Sequence, residues 1–276
     1  MKKIYLCAIS NIRSGACNED CKFCTQSVKW GADILRYKQK EISQIVKEAK
    51  IAKKNRASGF CLVTSGKGLD EKTLEYVCRA TKAVLKEADI SIIACNGTAD
   101  LESLKELKKA GVKIYNHNLE TSKEYYPRIC STHTWEERYQ TALNVKKAGL
   151  GLCCGGIFGL GESEKDIKSF ISSLKELQPQ GIPINFFIEN EKLPLKATHN
   201  KEYALNIIKK ISNEFKKAII MLAGGREIVF KQSWIEGINA GANAIVIGDY
   251  LTTKGEKASS DLQKLLKEGF KIAYEC

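Results

Sequence analysis

The chain has 276 residues, of which 43% are hydrophobic and 28% charged, and it carries a formal net charge of +12 at pH 7. This apolar content is enough for one large core, and no apolar run reaches the ~18 residues that a membrane helix needs. The first ten residues, MKKIYLCAIS, lack an A-x-A-like cleavage site. We therefore expect a cytoplasmic protein with no membrane partner.

The distribution of positive charge and the cysteine content indicate which partners and which chemistry to expect. Most lysines alternate with glutamate and aspartate at helical spacing, and no stretch interleaves arginine with aromatic residues. We therefore expect no nucleic-acid partner. Eleven cysteines without an export signal favour reduced thiols over a disulfide framework. Thiols in that setting serve metal binding or catalysis.

Short apolar runs and amphipathic segments alternate along the chain. The β-like runs cover residues 3–9, 59–65, 90–95, 112–118, 150–156, 182–188, 217–222 and 242–248. Segments with apolar residues at three- and four-residue spacing, which predict helices, cover residues 42–55, 71–87, 100–110, 135–148, 164–177, 201–215 and 226–239. Glycine follows several of these segments, as it commonly does at helix C-termini.

This alternation predicts an α/β fold, a single (β/α)8 TIM-type barrel in one domain over residues 1–276. A doubly wound open sheet has similar content, but eight even units favour the barrel. In such barrels the active-site residues lie at the C-terminal ends of the strands and in the loops that follow them.

Three cysteines follow the first predicted strand. Cys17, Cys21 and Cys24 have the spacing C-x3-C-x2-C, one thiolate short of a closed four-ligand site. Such a loop can supply three thiolates to an iron–sulfur cubane and leave one iron open to another ligand. A three-cysteine zinc site and a chance cluster are the alternatives.

The cysteine loop resembles that of the radical S-adenosylmethionine (SAM) enzymes. The stretches GACNEDCKFC, YNHNLETS, GGIFGLGE, PINFF and AGGRE occur in the order found in the biotin synthase family, and this resemblance covers essentially the whole chain. It implies a [4Fe-4S] cluster held by the three cysteines, with SAM on the fourth iron. It also implies sulfur insertion into dethiobiotin by a 5′-deoxyadenosyl radical, a flavodoxin or ferredoxin reductant, and a homodimer.

The fourth predicted strand ends in YNHNLE, where Asn116 and Asn118 are two residues apart and share one face. Their carboxamides can both donate and accept hydrogen bonds. The resemblance implies that these asparagines and Asn185, in PINFF, contact dethiobiotin. It implies that Glu120 contacts SAM, at a position where the family usually has aspartate.

The fifth predicted strand is followed by a glycine-rich stretch. Glycines allow the backbone to approach a ligand closely, although such a stretch alone is weak evidence. By resemblance, Gly155, Gly156, Ile157 and Glu162 match the family motif near the adenine and methionine of SAM. We expect Glu162 to support the shape of this loop.

The resemblance further implies an auxiliary cluster as the sulfur source, in the family a [2Fe-2S] cluster held by three cysteines and one arginine. Cys61 and Cys153 match two of these cysteines. The third cysteine position falls at Ile93, with Cys95 two residues further along, and the arginine position falls at Met221.

Cys7, at a position where the family commonly has serine, offers a replacement ligand. We therefore expect an all-cysteine auxiliary site formed by Cys7, Cys61, Cys95 and Cys153, either [2Fe-2S] or four-iron in type. The adjacent Cys154 is the weaker candidate, because neighbouring strand residues point to opposite faces. The alternative is that Cys7 and Cys95 are ordinary buried thiols.

Two other functions remain possible at this point. One is a related barrel enzyme, similar to a hydrogenase maturase or methylornithine synthase, and the other is a non-catalytic iron–sulfur redox sensor. The asparagines at the predicted barrel mouth favour an enzyme, because a sensor needs no substrate pocket. Cys78, Cys130 and Cys276 receive no role.

Overall fold

The computed structural model describes residues 2–274; Cys276 lies outside this range. Among the described residues there are ten β-strands: β1 (Lys3–Arg13), β2 (Gly59–Thr64), β3 (Ser91–Cys95), β4 (Ile114–Asn116), β5 (Gly151–Cys153), β6 (Gly156–Phe158), β7 (Gly181–Phe186), β8 (Ile219–Leu222), β9 (Ala244–Ile247) and β10 (Lys271–Ile272). The α-helices of the same range are α1 (Ile42–Lys54), α2 (Glu71–Glu87), α3 (Leu101–Ala110), α4 (Tyr126–Ile129), α5 (Trp135–Lys147), α6 (Glu164–Leu177), α7 (Lys201–Glu214), α8 (Arg226–Phe230), α9 (Ile235–Asn239) and α10 (Ala258–Lys267).

The strands close into a parallel barrel. The order runs β1-β2-β3-β4-β5-β7-β8-β9, and β9 pairs with β1 to close the ring. Cys7 of β1 lies opposite Gly59 of β2 on one side and Val246 of β9 on the other. β6 continues the line of β5 against β7, and β10 adds to β1 outside the ring. The predicted (β/α)8 barrel is confirmed.

Strand alternation decides which side chains reach the barrel interior. Leu6 and Ala8 of β1 belong to the main core between strands and helices, whereas Cys7 and Ile9 line the interior cavity. The same two-residue period places Cys61 inward on β2. An odd-numbered cysteine on each of these strands therefore faces the barrel axis.

Several of the longer helices begin at a residue whose side chain caps them. The Asp70 side chain accepts from Thr73 N at the start of α2, and Ser163 forms a capping box with Asp166 at the start of α6. These side chains satisfy backbone donors that the helix leaves without a partner. Both caps lie in the loops that follow barrel strands, one after β2 and one after β6.

Two predicted elements are divided in the structure. The fifth strand is split into β5 and β6, opposite Pro183 of β7, which has no N–H to continue the ladder. The predicted helix 226–239 consists of α8, a 3₁₀ turn at Lys231–Ser233, and α9. Lys231 has φ 49°, a positive value that the residues of an α-helix do not adopt, and α8 ends there. Within residues 2–274, no helix is long and apolar enough to cross a membrane.

Candidate active site

A cavity of about 440 Å³ extends from the loops after the strands into the barrel interior. Phe23 and Cys24 from the cysteine loop line it, as do Leu251 and Thr252 from the segment after β9. Thr25 and Thr252 are joined by a hydrogen bond of 2.9 Å between their Oγ1 atoms, which connects the two loops. The cavity thus lies at the end of the barrel where the chemistry of this fold occurs.

Four cysteines from four different strands line the interior part of this cavity. They are Cys7 of β1, Cys61 of β2, Cys95 of β3 and Cys153 of β5. The Cys61 and Cys95 side chains are hydrogen-bonded, which raises the pKa of Cys61 and lowers that of Cys95. Cys154 packs in the outer core with no exposed surface. The geometry therefore brings together the four thiols that the sequence singled out.

The residues at the family's other ligand positions are apolar and lie beside these thiols. Ile93 packs with Cys7 and Cys61 in a small interior cluster, which Met221 and Cys95 also contact. Ile93 and Cys95 both face the cavity because they are two residues apart on β3. Compared with the family pattern, the cysteine on β3 is thus moved to the next inward-facing position. At the family's arginine position, Met221 offers only a thioether as a metal ligand.

The cysteine loop is held by its own backbone hydrogen bonds. Cys17 N donates to Gln26 O at 3.3 Å, and Cys24 N donates to Cys21 O at 3.0 Å. Burial raises the pKa of Cys17, and it raises the pKa of Cys24 to about 11. Thiols in such surroundings become thiolates when a cation binds them, because a coordinating metal displaces the proton.

The polar wall of the cavity contains buried oxygen atoms with no partner. Asn116 donates through Nδ2 to Cys95 Sγ at 3.4 Å, but its Oδ1 has no hydrogen bond. Glu120 accepts from Arg138 through Oε1, at 3.1 Å, and its Oε2 is likewise unpaired. Buried acceptors are rarely left unsatisfied in folded proteins. These two atoms therefore fit a bound molecule with hydroxyl or N–H donors, such as a ribose or a ureido ring.

Arg138 is a site residue that sequence reasoning missed. It lies in α5, and its Nε donates to Asn118 O at 2.6 Å while its Nη2 contacts Glu120. Burial raises the pKa of Glu120, whereas the Arg138 charge opposes that rise. In sequence, Arg138 is one charged residue among many on an amphipathic helix, so no local signal marks it as a buried partner.

The glycine-rich loop packs closely against its neighbours. A Cβ on Gly155 would lie 1.9 Å from Pro183 O, and one on Gly156 would lie 2.6 Å from Glu120 O. Gly155 N donates to Asn118 Oδ1 at 3.0 Å. Ile157 lines the cavity itself. The two glycines are therefore required for close approach of backbone to backbone.

Glu162 and Asn185 hold loop backbone in position. Glu162 accepts from Gly159 N and Leu160 N, both at 2.7 Å. Asn185 lines the cavity, donates to Gly156 O at 3.1 Å and accepts from Gly224 N at 2.9 Å. Both polar ends of Asn185 are thus engaged by backbone in this state.

The fold and the cysteine loop together define the class of this protein. Residues 11–174 match the model of the Radical SAM superfamily, and residues 183–271 match the Biotin and Thiamin Synthesis associated domain. The chain is 77% identical to the biotin synthase of Nautilia profundicola, with 100% of both chains covered, and 62% identical to that of Campylobacter lari, with 99% of both covered. It belongs to the biotin synthase family of radical SAM enzymes.

Solved structures show the same fold at much lower identity. The FeFe-hydrogenase maturase HydG from Carboxydothermus hydrogenoformans superposes with a TM-score of 0.86 at 17% identity, covering 99% of this chain and 68% of that one. Methylornithine synthase (PylB) superposes with a TM-score of 0.84 at 19% identity, covering 98% and 84%. These structures share the barrel fold with the chain, whereas the relatives at 62–77% identity identify its family.

Proposed function

We propose that the chain converts dethiobiotin to biotin by radical SAM sulfur insertion, with an auxiliary iron–sulfur cluster as the sulfur source. The observation that carries this proposal is the cavity with four interior thiols at its base and the cysteine loop at its mouth. Cys17, Cys21 and Cys24 would hold a [4Fe-4S] cluster, which would bind SAM and supply the electron for its reductive cleavage.

The chain's own residues bind and orient dethiobiotin and SAM between the cysteine loop and the four interior cysteines. The unpaired oxygens of Asn116 and Glu120 accept hydrogen bonds from donors of substrate and SAM. Arg138 fixes the carboxylate of Glu120, and Asn118 and Asn185 hold the glycine-rich loop that forms one side of the cavity. Apolar lining around these groups excludes water, which strengthens the polar contacts inside the cavity and limits side reactions.

Cys7, Cys61, Cys95 and Cys153 are proposed as ligands of the auxiliary cluster. All four cysteines line the same cavity, and a thiolate set without arginine suits a [2Fe-2S] or a four-iron cluster. Flavodoxin or ferredoxin is the proposed reductant. A cytoplasmic homodimer is the proposed state of the protein, as the family resemblance implies.

The activity test is anaerobic incubation of reconstituted protein with SAM, reductant and dethiobiotin. Both biotin and 5′-deoxyadenosine should form. Formation of 5′-deoxyadenosine without biotin would refute dethiobiotin as substrate, and formation of neither would favour a non-catalytic redox protein. When the clusters are rebuilt with isotopically labelled sulfide, the biotin should carry the label.

The ligand set is tested by iron and sulfide analysis of anaerobic Cys7→Ala and Cys95→Ala proteins. Each should lose only the iron and sulfide of the auxiliary cluster, while SAM cleavage continues. Cys154→Ala is the matched control, because Cys154 is adjacent to Cys153 but packs in the outer core. Unchanged iron in Cys7→Ala and Cys95→Ala would refute the four-cysteine site.

A further inference from the structure

We propose that, in the cluster-free chain, Cys21, Cys130 and His133 form a Zn²⁺ site that competes with the radical cluster for the Cys21 thiolate. The competition rests on the proposed function of Cys21 as a cluster ligand. The zinc geometry rests on the structure alone.

The positions of the two sulfurs already suit a tetrahedral metal. The ligand atoms of the three residues all lie within 4.8 Å of one another. Cys21 Sγ and Cys130 Sγ are 3.7 Å apart. Two thiolates, each ~2.3 Å from zinc and separated by the tetrahedral angle, lie ~3.8 Å apart. A zinc ion can therefore bind both sulfurs with almost no movement of either.

The imidazole of His133 has the carboxylate partner that metal-binding histidines usually have. Its Nδ1 lies 2.6 Å from Glu19 Oε2 and 3.3 Å from Cys130 Sγ, and its Nε2 lies 3.8 Å from the same sulfur. Metal-binding histidines commonly donate their second N–H to a carboxylate. With Nδ1–H donating to Glu19, Nε2 is the coordinating nitrogen, and the metal replaces its 3.5 Å contact with Arg138 Nη1.

Hydrogen bonds hold the two ligand-bearing segments together. Asp20 accepts from Ser131 N at 2.8 Å and Thr132 N at 3.1 Å, and Lys22 N donates to Ile129 O at 2.9 Å. Cys130 and His133 are buried, while Cys21 is partly exposed. Because the Asp20 carboxylate is engaged by these amides, the fourth coordination position is left to water on the exposed side.

The ligand chemistry selects zinc. A site of two thiolates and one imidazole suits Zn²⁺, and nitrogen and sulfur ligands bind Zn²⁺ more tightly than Fe²⁺. Binding replaces the remaining thiol protons with the metal and involves no change of oxidation state. Since Cys21 can be a terminal ligand of one metal centre at a time, bound zinc blocks assembly of the radical cluster until it is removed.

The zinc site is tested on iron-free protein, kept reduced and anaerobic. Zn²⁺ and its spectroscopic substitute Co²⁺ are titrated into wild type, Cys130→Ala and His133→Ala, with Cys78→Ala as control, because Cys78 lies on α2 away from the site. Wild type and Cys78→Ala should bind one equivalent more than the other two variants, with the visible bands of tetrahedral cobalt. Equal stoichiometry and spectra in all four proteins would overturn the inference.

The competition is tested by reconstituting zinc-loaded proteins with iron and sulfide. Cys130→Ala should gain the SAM-responsive cluster, whereas wild type should gain it only after a chelator removes the zinc. Equal reconstitution of both zinc-loaded proteins would refute the competition. Cys21→Ala should lose both metal centres; a complete radical cluster in that variant would refute the proposed function and leave the zinc stoichiometry as a separate result.

Discussion

The buried ion pair between Arg226 and Asp261 allows a quantitative prediction of stability. Arg226 Nη1 and Nη2 donate to the two carboxylate oxygens of Asp261 at 3.1 and 2.8 Å, and the residues are 0% and 1% exposed. The guanidinium also lies 4.6 Å from the centre of the Trp234 ring and contacts Glu227. Tyr250, which lines the cavity, donates to the same Glu227. The pair thus connects α8 and α10 with the cavity mouth.

Asp261→Ala would leave the buried Arg226 charge with Glu227 as its remaining hydrogen-bonded carboxylate. Removal of one member of a buried pair typically costs about 3–5 kcal/mol of folding free energy. With an unfolding entropy of ~2.1 cal/mol/K per residue, a chain of this length loses about 5–9 °C in Tm for that cost. We expect a destabilisation of this size in the iron-free protein.

Urea denaturation and differential scanning calorimetry measure the change. Asp89→Ala is the matched control, because Asp89 also pairs with a cation, Lys53 at 3.3 Å, but its side chain is completely exposed. Exposed pairs contribute little to stability, so the control should unfold like wild type. A shift in Asp261→Ala no larger than that in the control would refute the reasoning.

A second variant separates the buried charge from the loss of the carboxylate. Burial, together with the charges of Glu227 and Glu256, raises the pKa of Asp261 even though Arg226 opposes the rise, so burying the ionised carboxylate carries a cost that the pair must offset. Replacing both residues, as Arg226→Met with Asp261→Leu, should therefore recover most of the lost stability. If the double variant is less stable than Asp261→Ala, the uncompensated charge is not the cause.

Three further changes test the barrel mouth. Burial tends to raise the pKa of Asp20, but hydrogen bonds from Ser131 and Thr132 lower it overall, so its contribution is present above pH ~4 and lost as the pH falls. Asp20→Ala at pH 7, and wild type on acidification, should both show smaller protection factors at the Ser131 and Thr132 amides, measured against the intrinsic exchange rate at each pH. Protection factors unchanged by either would contradict this tether. Gly155→Ala places a Cβ 1.9 Å from Pro183 O, so we expect urea denaturation to show a free energy of unfolding lower by about 1–3 kcal/mol. An unchanged free energy of unfolding would show that the backbone moves apart at no cost. Asn185→Ala removes the hydrogen-bond partners of Gly156 O and Gly224 N. It should lower the free energy of unfolding by about 1–3 kcal/mol and raise KM for dethiobiotin. An unchanged KM would exclude Asn185 from the substrate site.

Local sequence patterns are sufficient to predict the barrel and the cysteine loop at its mouth. The alternation of apolar runs with amphipathic segments predicts eight parallel strands, and the two-residue period of β1, β2 and β3 places Cys7, Cys61 and Cys95 on inward positions. The three-cysteine spacing is likewise a property of neighbouring residues. Such features depend on steric and hydrophobic preferences over a few residues, which the sequence states directly.

Contacts between distant segments required the tertiary structure. Arg138 meets Glu120 because the connection between β4 and β5 folds back on itself, and Cys21 meets Cys130 because the loops after β1 and β4 converge at one end of the barrel. The split of the fifth strand follows from Pro183, on a neighbouring strand. A sequence lists which side chains are present, but closure of the ring decides which of them come within bonding distance, because that depends on the register between strands far apart in the chain.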